Sequence, residues 1–353
     1  MADWTAPMVQ TFEYYTVDPG TWKDVKRLTQ VTSCSITRDW EADTLGSASL
    51  DTNELFGEAY VRIYLITLQN GVTEKFPLAT VLVQTPSSSF DGRVTKTTMD
   101  GYTPLIELKE NQPPLGYFVA EGDNVMEVAS RLTAEHLRAP VVAATSDVTM
   151  YKDFVSNGDD TWMTFLSDLA ANAKFLFDLD EMGRVLFAPQ QNIAALQPVW
   201  TYDDGNSSIL YSDITVDHDL YGIPNVVEVI YSDEHSLYIS RVVNDDENSP
   251  ISTVNRGREI VQRIQNPSFS GIPTQPMVDE YAEQQLESLS TLEYTVSYKH
   301  GYNQVRIGDC VRLNYKRAGI TDIKARVISQ TISCEPGCPV SEKAIFTQKL
   351  WGR

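Results

Sequence analysis

The sequence predicts a mainly β protein with an α+β middle. Three observations carry that prediction. Short runs rich in β-branched and aromatic residues, separated by turn signals, fill the first hundred residues. Helical periodicity enters between about 105 and 200. From Thr201 the chain returns to strands, with one more helical stretch. The expected division is 1–104 as a first β domain, 105–200 as a small α+β domain, and 201–353 as a second β domain with a helical insertion near 245–292.

The elements follow in order. Ala59–Leu68 is strongly β-prone, Gln69-Asn-Gly71 is a turn signal, and Lys75–Gln84 supplies the returning strand. Ser87–Gly92 reads as a second turn before the alternating Arg93–Met99. Short strands with tight turns imply a small antiparallel barrel or sandwich. Gln112-Pro-Pro-Leu-Gly116 reads as a loop. Asn124 and Glu127 have capping-box spacing, and Val125, Val128, Ala129 and Leu132 share one helical face. A second helix is expected to open at Asp159-Asp160, with Trp162, Phe165, Leu166, Leu169, Ala170 and Ala173 forming an apolar stripe. Phe175–Phe187 reads as strand, turn, strand. Pro224–Tyr231 and Leu237–Val243 are strands, followed by a polar loop at Asn244–Pro250 and a helix at Met277–Leu289. Glu293–Tyr298, Cys310–Tyr315, Lys324–Ile332 and Glu342–Gln348 complete the strands.

Composition excludes several function classes. The 353 residues are 42% hydrophobic, enough for packed cores rather than a disordered chain. Lys plus Arg number 28 and Asp plus Glu 48, a net charge of −20. Such a balance argues against a reader of duplex DNA and against binding to anionic membranes. Neither a signal peptide nor a run of 18 apolar residues is visible, so a soluble protein made in the cytoplasm is expected. Four cysteines are too few for a disulfide scaffold. Cys34 and Cys310 stand far along the chain from Cys334 and Cys338, and the four histidines show no ligand spacing, which argues against zinc. Buried thiols, or one local bridge between Cys334 and Cys338, are the alternatives.

The chemistry-bearing patterns are weak. Asp178-x-Asp180-x-x-Gly183 begins like a calcium loop, but Met182 and Pro189 stand where ligands are required, so a tight turn with Gly183 at its corner is expected. Asp203-Asp204, Asp217 with Asp219, and Asp245-Asp246-Glu247 are carboxylate pairs of a kind that chance supplies in so acidic a chain. Gly308-Asp309 is read as a structural turn. His136, His218, His235 and His300 are read as solvated or satisfied side chains. Of six tryptophans, Trp351 is expected to dock the tail of the chain onto the last β domain or a neighbour. No residue is assigned as catalytic, cofactor-binding or metal-binding.

Several stretches together resemble the hub proteins of bacteriophage tails and of phage-derived tail-like particles. They are Ser35-Ile-Thr-Arg-Asp39, the helix from Gly122-Asp-Asn-Val through Leu132, Asp159–Ala170 leading into Phe175–Asp178, and Gly183–Pro189. Ile223–Val229, Asn248–Ser252, the helix around Tyr281–Leu286 and Val305–Val311 follow in order, so the resemblance covers about 30–350. It implies a non-enzymatic homotrimer in which each chain carries two tail-tube-like antiparallel β-barrels flanking the α+β domain. Three chains then present six barrels, joining a six-fold tail tube to a three-fold spike or fibre. The implied partners are the tail tube or distal tail protein, the tape-measure protein and the spike or fibre. DNA passes through the channel without sequence-specific binding, and no stable membrane binding is implied. The implied place is the virion's tail tip or baseplate, after assembly in the host cytoplasm. No site residue or cofactor carries over. Some relatives carry a C-terminal peptidase or lysozyme domain; the sequence ends at Arg353 after its last strand, and no such domain is expected. An acidic lumen would repel phosphates and keep DNA from sticking. Two competing readings remain: a receptor- or glycan-binding tail module with a cleft of exposed Trp and Tyr, and a cell-wall hydrolase using one carboxylate pair.

Overall fold

A computed structural model describes residues 2–54, 57–90, 92–217, 219–233, 236–269 and 272–352. Strand accounts for 45% of the chain and helix for 15%, which places the fold in the mainly β class. In chain order the strands of the first half are β1 (Val9–Val17), β2 (Asp24–Leu28), β3 (Val31–Asp39), β4 (Gly46–Thr52), β5 (Ala59–Gln69), β6 (Val72–Phe90) and β7 (Thr95–Tyr102). Next come α1 (Ile106–Glu110), β8 (Phe118–Val119), α2 (Val125–His136), β9 (Phe154–Val155), α3 (Trp162–Asn172), β10 (Phe175–Leu179) and β11 (Val185–Pro189). Then follow β12 (Trp200–Asp203), β13 (Leu210–Asp217), β14 (Val226–Ser232), β15 (Leu237–Val243), α4 (Thr253–Arg256), β16 (Val261–Gln265) and α5 (Gln275–Leu289). The last are β17 (Thr291–Gly301), β18 (Cys310–Asn314), β19 (Ile323–Ser333) and β20 (Pro339–Lys349).

The chain forms two compact units. The first comprises Met1–Ile214 with Ser297–Ala344, and the second Thr215–Val296 with Ile345–Arg353. The largest sheet has the strand order β13-β17-β20-β19-β3-β4-β7-β6-β5-β1-β2, with β18 joining β19 and β12 to it. The N- and C-terminal strands of this sheet meet at one ladder, β19 against β3, from Ser329↔Asp39 to Ser333↔Ser35. No ladder closes this path into a ring among the described residues.

The β5–β6 hairpin turns at Asn70 (φ 51°) and Gly71 (φ 81°). Two left-handed residues make the primed turn whose twist matches the flanking strands, and an Asn-Gly pair supplies it without strain. β5 is buried on both faces at its centre. Val61, Ile63 and Leu65 face the sheet core with Leu50, Leu78, Val81 and Met99, while Tyr60, Arg62 and Tyr64 alternate onto the other face. The expected turn at Ser87–Gly92 needs correction: β6 stays paired with β7 as far as Phe90↔Thr95, with an irregularity between Gln84 and Ser87. A bulge absorbs the extra residues without ending the strand. Asp91 lies outside the described residues.

The helices and the β10–β11 hairpin build a second core. Val125, Ala129, Leu132, Trp162, Phe165, Leu166, Leu169, Phe177 and Val185 are buried together, so the helical stripes read from the sequence face each other. Asn124 caps α2, its side chain accepting from the Met126 and Glu127 amides. The start of α3 is corrected by one or two residues. Thr161, not the Asp159-Asp160 pair, is the cap, and it exchanges side chain–backbone hydrogen bonds with Thr164 in a capping box. A threonine at the third helical position serves that role as glutamate does, which composition rules for caps overlook.

In the second unit β15, β14 and β16 form a three-stranded sheet. Val227 and Val229 pack against Val278, Ala282 and Leu286 of α5, and Trp351 packs on the same cluster. Trp351 thus docks the end of the chain, as the sequence implied.

Candidate functional site: a charged joint in the first unit

The densest convergence of charged side chains in the first unit lies where the β10–β11 hairpin tip meets the sheet. It begins with an arginine inside a strand. Arg62 is 1% exposed on the second face of β5, and a buried guanidinium must find acceptors for its donors. Its Nε donates to Thr80 Oγ1 at 2.9 Å and its Nη1 to Asp24 Oδ1 at 2.7 Å. Its Nη2 reaches the carbonyls of Trp22 and Met182 at 3.3 and 3.2 Å. Met182 belongs to the hairpin tip, and its carbonyl also accepts from Trp22 Nε1 at 2.7 Å. Thr80 Oγ1 donates to the Glu181 carbonyl at 3.3 Å. Through these bonds the sheet grips the backbone of the tip.

Gly183 explains why that grip is close. Its φ is +73°, and a Cβ there would stand 2.7 Å from Thr80 Cβ and 3.2 Å from Trp22 Cζ2. The tight turn closes by Gly183 N–H to Asp180 O at 2.9 Å, so the turn reading of Asp178–Gly183 holds. Gly183→Ala is expected to cost about 2–4 kcal/mol, from the left-handed backbone and the collision together. Urea unfolding measures it, and an unchanged midpoint would contradict the close approach.

Side chains of the tip then meet Arg306, in the connection between β17 and β18, and Arg38 of β3. Arg306 lies 2.9 Å from Glu181 and 3.5 Å from Asp178, and its Nη2 donates to the Leu179 carbonyl. Arg38, 3.5 Å from Glu181, donates to Gln330 Oε1 at 3.1 Å and to the Leu78 carbonyl at 2.7 Å. Burial, above all, pushes the carboxyls of Asp178 and Asp309 above the usual range. Burial also works against the Arg306 charge, but Glu181, Asp178 and Asp309 outweigh it and raise its pKa. Gly308 fits beneath Trp40, where a Cβ would lie 2.8 Å from the indole ring, so the Gly308-Asp309 turn is structural as expected. Asp178, Asp309, Arg306 and Arg326 border a cleft of about 240 Å³ with Trp40 and Cys310. Its carboxylates and Arg306 answer one another, so the arrangement fixes the hairpin in place.

A second polar cluster is wholly buried. Glu342, 1% exposed, accepts from Tyr298 OH at 2.5 Å and from Gln330 Nε2 at 2.6 Å. His300 Nε2 lies 3.3 Å from Glu342 Oε2 and 3.1 Å from Tyr202 OH. His300 Nδ1 faces the Gly301 carbonyl at 2.7 Å, and a carbonyl only accepts, so Nδ1 carries a hydrogen. Asn303 donates to Tyr202 OH at 3.0 Å. Burial first, then the Glu342 charge, raise the Tyr202 and Tyr298 hydroxyls well above their ordinary range, so both remain protonated.

Members of the carboxylate pairs singled out in the sequence make local contacts. Asp204 holds Arg317 at 3.4 Å, Asp203 caps the Gly205 amide, Asp219 the Tyr221 amide and Asp246 the Asn248 amide. His136 stacks on Trp162 at 4.0 Å, and burial lowers its pKa. His218 and His235 lie outside the described residues. All six tryptophans are buried or half-buried. Among the described residues no group of three or more His, Cys, Asp or Glu is placed to hold a metal ion. Cys34, Cys310, Cys334 and Cys338 are all free thiols. Arg62, Arg38, Arg306 and Glu342 were missed by sequence reasoning. For Arg62 the signal was a charge inside an otherwise apolar strand, Tyr60-Val-Arg-Ile-Tyr64.

No protein-family model and no curated protein sequence matches the chain. Solved structures do. A tail protein from Neisseria meningitidis MC58 superposes with a TM-score of 0.60 at 11% identity, over 96% of each chain. The 43 kDa tail protein of prophage MuSo2 from Shewanella oneidensis gives 0.60 at 12% identity, over 95% of this chain and 98% of that one. The structure of a Francisella PdpA–VgrG complex gives 0.55 at 9% identity, over 96% of this chain but 58% of the other. The chain has the fold of phage tail proteins.

Proposed function

We propose that the protein is a structural hub of a phage tail or of a phage-derived tail-like particle. One observation carries the reading: the fold likeness to two tail proteins runs end to end, at 95% or more of both chains. The role is non-enzymatic, and the charged clusters of the first unit serve its architecture. In this reading three chains associate, each contributing two tube-like β-barrels flanking the α+β domain of 105–200, with the second barrel drawn from 201–353. The six barrels match a six-fold tube on one side and a three-fold spike or fibre on the other. The trimer surrounds the channel for the tape-measure protein and then DNA, at the tail tip of the virion. The net charge of −20 supports a lumen to which DNA does not adhere.

Electron microscopy of the purified protein tests the geometry. The expected end-on view is a three-fold ring with an open centre. A solid particle without three-fold symmetry would overturn the channel.

A further inference from the structure

We propose that Cys34 and Cys334 form a disulfide under oxidising conditions, closing the seam between the N- and C-terminal strands of the first unit's sheet. The inference stands apart from the tail reading. The two strands that join these halves are β3 and β19, and their ladder ends at Ser333↔Ser35. One step further, Cys334 stands opposite Cys34, and its amide donates to the Cys34 carbonyl at 2.9 Å. Opposed residues at such a bonded position have Cα atoms about 5.5 Å apart, inside the range of about 4.4–6.8 Å that a disulfide spans. Both side chains belong to the same apolar cluster, so they point to the same face of the sheet.

Cys338 is the alternative partner, four residues along the chain. It lies beyond a tight turn closed by its own amide to Glu335 O at 2.8 Å, with a left-handed φ of 40° and no exposure. Its thiol is pushed up chiefly by burial. The β3–β19 register sets Cys34, not Cys338, directly across from Cys334.

The reaction needs an oxidant, taken here as a small-molecule disulfide such as oxidised glutathione. Cys334 is half-buried while Cys34 is buried, so the Cys334 thiolate attacks first. A mixed disulfide forms and one glutathione thiolate leaves. The Cys34 sulfur then attacks Cys334, its proton passing to the second departing glutathione. Two protein thiols and one oxidised glutathione become one protein disulfide and two reduced glutathiones. Burial still disfavours the Cys34 thiolate once Cys334 carries the mixed disulfide, which makes the second step slow. The bridge spans 334 − 34 = 300 positions, and cross-links that close long loops restrict the unfolded chain most.

The full-length protein is incubated with oxidised glutathione and its thiols are titrated in denaturant. The expected count falls from four to two. The thermal midpoint rises on the order of 10 °C, and reduction reverses both changes. Tryptic mapping without reductant should join peptide 28–38, which carries Cys34, to peptide 327–343, which carries both Cys334 and Cys338, so the cysteine variants decide which of the two is bridged. C338S keeps the link, whereas C34A and C334A lose it. Retention of four thiols, a lasting glutathione adduct, or loss of two thiols in C34A would each overturn the proposal.

Discussion

Replacing Arg62 by methionine is expected to release the β10–β11 hairpin tip and to destabilise the first unit by about 2–4 kcal/mol. Methionine fills a similar volume but donates nothing. Thr80 Oγ1 and the Met182 carbonyl each lose one partner, and Asp24 loses the guanidinium 2.7 Å away. The cost stays below that of a fully buried pair broken in half, because Asp24 is 27% exposed and water can reach it. Arg62→Lys should fall between wild type and methionine, since one ammonium cannot span four acceptors lying in different directions. Two readouts separate local from global effects. Urea unfolding gives the stability change. Limited trypsin digestion probes the tip directly, because Arg184 sits in it with its side chain 53% exposed. Faster cleavage after Arg184 in Arg62→Met is expected. Wild-type protection would show that the grip on the backbone is not what holds the hairpin.

Glu342→Ala is expected to cost about 3–5 kcal/mol, because it strands several buried donors at once. Tyr298, Gln330 and His300 all direct polar hydrogens or ring nitrogens at this carboxylate, and none can turn to solvent from a cluster this buried. The double variant His300→Leu with Glu342→Leu should recover part of the loss, since apolar replacement of a whole buried pair is tolerated better than removal of one partner. Chemical denaturation of the two variants side by side checks this. A single-variant loss below about 1 kcal/mol, or a double variant less stable than Glu342→Ala, would contradict the account.

What the sequence disclosed follows the range of the interactions concerned. The helices α2, α3 and α5 were legible because their apolar stripes repeat locally, and the Asn70-Gly71 turn because both its residues tolerate positive φ. Thr161 was missed as a cap because the aspartates before it are the more familiar signal, while the reciprocal bond to Thr164 needs the helix geometry to appear. Ser87–Phe90 looked like a turn because serines favour turns, but pairing with β7 overrides that preference. Nothing near Arg62 announces Met182, 120 residues away. Cys34 looked remote from Cys334 for the same reason: only the β3–β19 register makes them opposite. The first unit's two polar clusters both depend on strands that meet across the length of the chain, so a reading by local pattern found their elements but not their convergence.

The hub account stands or falls most directly on the native mass. Light scattering across concentration and salt should give a stable species at three times the 39.6 kDa chain mass. A monomer under every condition would contradict it.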